Sequence, residues 1–288
     1  MTENKQLIWE ARGRTIVGGD GRPKVMGIVN LTPDSFSDGG QFTGLEQAKA
    51  HALELLAEGA DLLDLGGESS RPGAEIVPLD EELRRLIPSL EAITEAVDAP
   101  ISIDTVKAEV ARRALALGAS VVNDITALSG DPEMVKVVAE SGAGVVLMHM
   151  AGTPQTMQID PRYGNVVEEV RDYLARRIDW VEARGIPRSR IAIDPGIGFG
   201  KTGEHNRTLL RNLPRFATLG CVVLIGTSRK RFLGSLTNRP MTERLMASIV
   251  SSLAALVSGA RVVRVHDVGP MVDAVRVWDA LRGWNQLP

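Results

Sequence analysis

Three aspartates, two asparagines and a few cations stand out because each closes or follows a short apolar run. Asp104 ends PISID, Asp194 ends RIAID and Asp124 follows VVN. A carboxylate accepts paired hydrogen bonds, so each is matched to the amidine-like N–C–N edge of a nitrogen-rich ring. The alternative for each is a strand-end cap or a salt bridge. Asn30 and Asn123 offer both a donor and an acceptor, as a ring with alternating polar atoms requires. Lys230, Arg264 and His266 form a cationic group, and Arg71 in SSRP can add a fourth donor. Such a group suits a small, multiply charged anion; the alternative for Arg264 is an internal salt bridge to an aspartate. His149, set between two methionines, either touches a ligand or lines a wall.

These residues share a position in the secondary structure. Short Val/Ile-rich runs at 24–30, 60–67, 100–105, 120–126, 144–150, 190–195, 222–228 and 261–267 predict strands. Most are continuously apolar, as in parallel strands covered on both faces. Segments of helical period lie at 45–58, 80–97, 107–117, 131–141, 166–184, 206–217, 242–258 and 270–282. Eight strands, each followed by a helix, predict an α/β fold of the (β/α)₈ TIM-barrel class. An open doubly wound sheet is the alternative, but GIVNLTPDSFSDGG after the first strand is not its GxGxxG turn. In the barrel, every polar residue named above falls at the C-terminal end of a strand, and all of these ends meet at one mouth. The cations come from the last two strands, where barrels often hold phosphate.

Residues 1–288 read as one catalytic domain, with 1–23 an N-terminal extension whose residues 7–17 form a small hairpin that caps the barrel bottom. Two glycine-bounded loops, TPDSFSDGG with Asp34 and Asp38 and GGESSRPGAE with Ser70 and Arg71, are expected to close over a ligand. GIGFGK at 196–201 is not a P-loop; its glycines bring backbone close to a ligand.

Composition removes other classes. Of 288 residues 44% are hydrophobic and 24% charged, enough apolar material to order the chain. The net charge of −3 argues against a nucleic-acid partner. Cys221, the one cysteine, sits in an apolar strand and is expected to be a core thiol. No HExxH and no compact Cys/His cluster predicts zinc. No signal-peptide or transmembrane run is evident, so a soluble, cytoplasmic protein without membrane partners is expected.

The sequence resembles the dihydropteroate synthases of the pterin-binding enzyme family. The resemblance rests on GIVNLTPDSFSDGG, DLGGESSRPGA, ISIDT, VVNDITA, LMHMAGTP, IAIDPGIGFGK, IGTSRKRFLG and RVVRVHDV, which together run from residue 27 to 268. It implies a transferase of folate biosynthesis that joins 6-hydroxymethyl-7,8-dihydropterin diphosphate to p-aminobenzoate by an SN1-like substitution. It implies pterin contacts at Asp104, Asn123, Asp194 and Lys230, with Met148 lining the pocket. The diphosphate site would be Asn30, Arg71, Arg264 and His266, with Mg²⁺ as cofactor and Asn30 as its protein contact. Asp38 would help hold the closed state. The p-aminobenzoate site would involve Ser70, Phe199 and Ser228 near Lys230. Asp104, Lys230, Arg71, Arg264 and His266 would carry the catalysis, and the chain would form a homodimer. The family's second loop commonly reads STRP; here Ser70 keeps the hydroxyl and loses a methyl. Alternatives are a methyltetrahydrofolate-dependent methyltransferase of the same superfamily, a non-catalytic pterin binder and a phosphate-sugar barrel enzyme.

Overall fold

The computed structural model describes residues 7–18, 22–32 and 41–281, with residues 41–43 described by their backbone alone. Asp34, Asp38 and most of the first glycine-bounded loop lie outside the described residues. The chain opens with an antiparallel hairpin, β1 (Trp9–Ala11) and β2 (Arg14–Val17). Its turn is made by Arg12 and Gly13, both at positive φ (50° and 77°).

Eight strands follow: β3 (Lys24–Asn30), β4 (Leu62–Gly66), β5 (Ile101–Asp104), β6 (Val121–Asp124), β7 (Gly144–Met148), β8 (Ile191–Asp194), β9 (Val222–Ile225) and β10 (Val262–Val265). They pair in parallel in chain order, and β10 pairs with β3 to close the barrel. The helices between them are α1 (Gln41–Ala57), α2 (Leu79–Thr94), α3 (Ala108–Ala116), α4 (Met134–Ser141), α5 (Val166–Glu182), α6 (Gly203–Arg211), α7 (Leu213–Ala217), α8 (Arg231–Thr237), α9 (Leu245–Val257) and α10 (Val268–Leu281). The fold is therefore the expected (β/α)₈ barrel with an N-terminal hairpin.

Two details differ from the sequence reading. The predicted helix 206–217 divides into α6 and α7, because Pro214 has no N–H to continue the ladder. Thr202 instead starts α6 earlier, in a reciprocal cap with His205. The short α8 was not predicted; seven residues give little room for a helical period.

Apolar packing forms two bodies. Outward-facing strand residues such as Val29, Leu63, Ile103, Val122, Val145 and Ile193 pack beneath the helices. Inward-facing residues near the strand starts, including Met26, Leu62, Val121 and Val146, form a second cluster with Trp9, Ala11, Ile16 and Val17 of the hairpin. The hairpin thus plugs the bottom of the barrel. Trp9 is fully buried, and its Nε1 donates to the Arg190 carbonyl at 3.1 Å. Gly144 permits this approach: a Cβ there would lie 3.0 Å from the Glu10 carbonyl oxygen.

Candidate active site

The strand register brings the predicted polar residues to adjacent levels of the mouth. Gly66 of β4 pairs with Asp104 of β5, Asp104 with Asn123 of β6, and Met148 of β7 with Asp194 of β8. β10 closes the circle, so Arg264 points into the barrel towards β4 and β5. Its Nε donates to Asp64 Oδ2 at 2.5 Å and its Nη2 to Asp104 Oδ2 at 2.9 Å. Asn123 Nδ2 donates to the same Asp64 oxygen at 3.2 Å.

One guanidinium is therefore suspended between two carboxylates at the centre of the mouth. Burial works against the charge of Arg264, but Asp64 and Asp104 outweigh it and raise its pKa. Burial pushes the Asp104 carboxyl upward, Arg264 opposes this, and the nearby Asp64 carboxylate adds to the upward push. Asp64 was not singled out in the sequence. The signal was present: a lone aspartate between leucines in DLLDLGG, inside a strand. It is fully buried. Its Oδ1 and the Oγ of Ser102, its register neighbour on β5, are buried without a hydrogen-bond partner.

Asp194 is also buried, which raises its pKa, while the Gly196 N–H donates to its Oδ1 at 2.7 Å and Lys230 adds favourable charge. Burial pushes Lys230 down to about 8. Its Nζ lies 4.1 Å above the centre of the Phe199 ring, within cation–π range. The glycine-rich loop after β8 thus brings Phe199 to Lys230 at the start of α8. Met148 is buried at the end of β7.

Ser228 and His266 face each other from the ends of β9 and β10. Ser228 Oγ lies 3.0 Å from His266 Nδ1 and accepts from the His266 backbone N–H at 3.2 Å. With the Ser228 hydroxyl donating to Nδ1, the ring proton sits on Nε2 and is a donor towards the mouth. Burial, reinforced by Arg264, pushes His266 down to about 3, so the ring is neutral. The charge of Arg71 also reaches His266, although Arg71 itself is exposed. Arg229 is bound to Asp267 through Nε at 3.1 Å and Nη2 at 2.5 Å, leaving Lys230 as the cation of that loop aimed at the mouth.

The second glycine-bounded loop is pinned at its root. Lys107 Nζ bonds both Glu68 and the fully buried Glu82, the latter at 2.6 Å. Glu68 Oε1 in turn accepts from the Val77 N–H at 3.1 Å. Ser70 is half-buried and Arg71 exposed beyond this anchor, so the anchored root carries both towards the mouth. Glu82 and Lys107 escaped the sequence reading because their spacing of 14 and 39 residues from Glu68 follows no local motif.

Two open alternatives are decided and one expectation changes. Asp124 turns away from the mouth to serve as a cap: Oδ1 accepts from the backbone and hydroxyl of Thr126, both at 2.7 Å, and Oδ2 from the Leu128 N–H at 3.2 Å. Burial still pushes it up to about 6. His149 is buried and occupied by Lys201. The expectation of Mg²⁺ held by Asn30 is corrected: among the described residues, no group of three or more His, Cys, Asp or Glu side chains could hold a metal ion. The physical reason lies in the pairing. Arg264 engages one oxygen each of Asp64 and Asp104, the Gly196 amide engages one of Asp194, and Asn30 contributes at most one neutral oxygen.

Comparison with known proteins agrees with this geometry. Residues 26–266 match the family model of the pterin binding enzymes. The dihydropteroate synthase of Synechocystis sp. is 46% identical over 270 residues, covering 93% of each chain. That of Escherichia coli K12 is 45% identical, covering 90% of this chain and 91% of its own. A solved Xanthomonas albilineans dihydropteroate synthase with 4-aminobenzoic acid superposes with a TM-score of 0.90 at 48% identity, covering 99% of this chain and 100% of that one. Another structure of that enzyme, in complex with 7,8-dihydropteroate, has a TM-score of 0.86 at 46% identity, covering 98% and 100%. This chain belongs to the pterin-binding enzyme family, among its dihydropteroate synthases.

Proposed function

We propose that the mouth formed by Asp104, Asn123, Asp194, Lys230 and Arg264 is where the family's reaction takes place. The chain is a transferase: it condenses 6-hydroxymethyl-7,8-dihydropterin diphosphate with p-aminobenzoate to give 7,8-dihydropteroate and diphosphate. The observation that carries the site assignment is the placement of Asp104 beside Arg264. It sets a carboxylate next to the cation best placed to receive a leaving anion.

Asp194 and Asn123, at adjacent levels of the mouth, recognise the amidine-like edge and polar atoms of the pterin, and Met148 covers its face. The carbon–oxygen bond to the diphosphate breaks first. Charge growing on the leaving oxygens is met by Arg264, by the Nε2–H of neutral His266 and by Arg71, with Asn30 offering its amide from β3. Preorganised donors of this kind stabilise developing charge without reorganising. The pterin methylene becomes cationic, and Asp104 offsets that charge. The amine nitrogen of p-aminobenzoate then attacks and loses its proton to solvent. Phe199, Ser70 and Ser228 hold the arylamine close to Lys230, where orientation lowers the entropic part of the barrier. No covalent enzyme intermediate is required.

Diphosphate release from the dihydropterin diphosphate, followed with and without p-aminobenzoate and with mass detection of dihydropteroate, tests the reading. Both products are expected together. Pterin binding without either product would instead make the chain a non-catalytic binder. No binding at all would direct the next trial to methyltetrahydrofolate.

No helix among the described residues is long and apolar enough to cross a membrane. We place the protein in the cytoplasm with small-molecule partners and no nucleic-acid partner, in keeping with its net charge of −3. We also propose a homodimer. Exposed Met246, Val250 and Val257 on α9 and Val277 on the adjoining α10 support it; sedimentation at micromolar concentration tests it.

A further inference from the structure

Lys201 closes the GIGFGK segment, and the condensation described above has no use for it. It is nevertheless only 3% exposed. Its Nζ lies 2.9 Å from His149 Nδ1 and donates to the Phe199 carbonyl at 2.9 Å and to the His149 carbonyl at 3.3 Å. The buried nitrogen thus has three polar neighbours.

The surrounding loop is shaped to allow this. A Cβ at Gly196 would lie 1.9 Å from the His149 carbonyl oxygen, and one at Gly200 would lie 2.7 Å from that of Ala151. Both glycines have positive φ, 72° and 64°. The loop therefore lies flat against the chain leaving β7, closer than any side chain would permit. Gln158 Nε2 and the Tyr163 hydroxyl bond the Gly198 and Gly200 carbonyls from outside, at 2.7 and 2.9 Å. Lys201 is the fastener from inside.

Burying a lysine is costly unless its charge and donors are met, and burial here depresses Lys201 to about 7. Apolar residues often replace buried polar groups without loss of stability, so core packing alone gives little reason for a lysine. The geometrical return is at Phe199. Lys201 grips its carbonyl, and the Phe199 ring meets Lys230 Nζ 4.1 Å away.

We propose that Lys201 is a positioning residue for p-aminobenzoate: by tying the Phe199 carbonyl to the end of β7, it fixes the Phe199 ring against Lys230 and so sets one wall of the arylamine site. This rests on the assignment of Phe199 and Lys230 to that site.

The test is a double-mutant cycle on the whole enzyme, with Lys201→Met, Phe199→Ala and the pair, plus Lys201→Gln as a milder change that keeps two donors. Steady-state KM for each substrate, kcat and melting curves are measured. Lys201→Met is expected to raise KM for p-aminobenzoate at least tenfold, with KM for the dihydropterin diphosphate within twofold. Lys201→Gln should fall between it and wild type. The double variant should be no worse than Phe199→Ala alone, since neighbours acting through one contact are not additive. Equal rises in both KM values, a fall in kcat alone, or multiplicative effects in the double variant would overturn the proposal. Loss of cooperative melting in both Lys201 variants would make the lysine a stability residue and overturn it too. If Phe199→Ala itself left KM for p-aminobenzoate unchanged, the arylamine-site assignment would fail first, and the proposal with it.

Discussion

The two ends of this barrel are built from the same strands and obey opposite rules. At the N-terminal ends the interior is filled by Met26, Leu62, Val121, Val146, Ala192 and Val222, and the hairpin seals it with Trp9. At the C-terminal ends, Asn123 and Asp194 stand two residues beyond Val121 and Ala192, with Asp104 of β5 and Arg264 of β10 beside them. The first arrangement gains from excluding water. The second retains charges that cost free energy to bury and are kept in place by one another. Stability is thus concentrated at the bottom and reactivity at the mouth, so substitutions should separate the two.

The largest separation is expected at Asp104. Asp104→Asn keeps shape and a hydrogen-bonding group but removes the charge placed to offset the cationic methylene. Turnover should fall about 10³-fold, equivalent to about 4 kcal/mol in the barrier. Diphosphate affinity should change far less, because Arg264 keeps Asp64 as its partner. The melting temperature should hold or rise, since one of two crowded carboxylates loses its charge. Steady-state kinetics beside calorimetry checks this; unchanged turnover would remove Asp104 from the chemistry.

The bottom should respond in the reverse sense. Trp9→Ala deletes a fully buried indole and its hydrogen bond to the Arg190 carbonyl. Large aromatic truncations in cores cost roughly 3 kcal/mol or more, and the loss should appear in denaturant unfolding. Turnover per folded molecule should stay within about twofold. A matching loss of turnover at temperatures where the variant is folded would show that the plug transmits to the mouth, and the two-ended description would then be wrong.

The strands and the ring of polar strand ends were legible because both are local signals. The strand predicted at 24–30 is β3, Lys24–Asn30, unchanged. The one predicted at 120–126 stops at Asp124, because that carboxylate turns back to cap Thr126 and Leu128. Whether an aspartate at a strand end faces a ligand or its own loop is decided by two or three backbone dihedrals, and apolar periodicity does not carry that information. Asp64 hid inside a run that reads as plain strand. Lys201 hid behind glycines that looked like a ligand loop. Each depends on partners 52 or more residues away, Arg264 and Asn123 for Asp64 and His149 for Lys201, besides the nearby Phe199 carbonyl that Lys201 holds. Chain closure, not sequence proximity, brings them together.

The finest distinction between the ends is their response to acid. Two histidines near the mouth, His149 and His266, are each pushed down to about 3, chiefly by burial. A histidine whose folded pKa is depressed contributes stability that is fully present above its unfolded value near 6.5. That stability is lost progressively as pH falls from 6.5 towards 3, because the unfolded chain takes up the proton first. Each such group steepens the loss by up to about 1.4 kcal/mol per pH unit. Asp104, Asp124 and Asp194 act oppositely, since their raised pKa values let the folded state bind protons first. The total slope therefore mixes signs, and the informative quantity is a difference between variants. His266→Gln keeps a partner for Ser228 and cannot titrate. Its stability relative to wild type should rise as pH falls from 6.5 to 4.5, whatever the offset at neutral pH. Equilibrium urea unfolding at four pH values reads this directly. Parallel curves would mean that His266 titrates alike in the folded and unfolded chains, and the neutral Nε2–H donor assigned to the diphosphate would lose its basis.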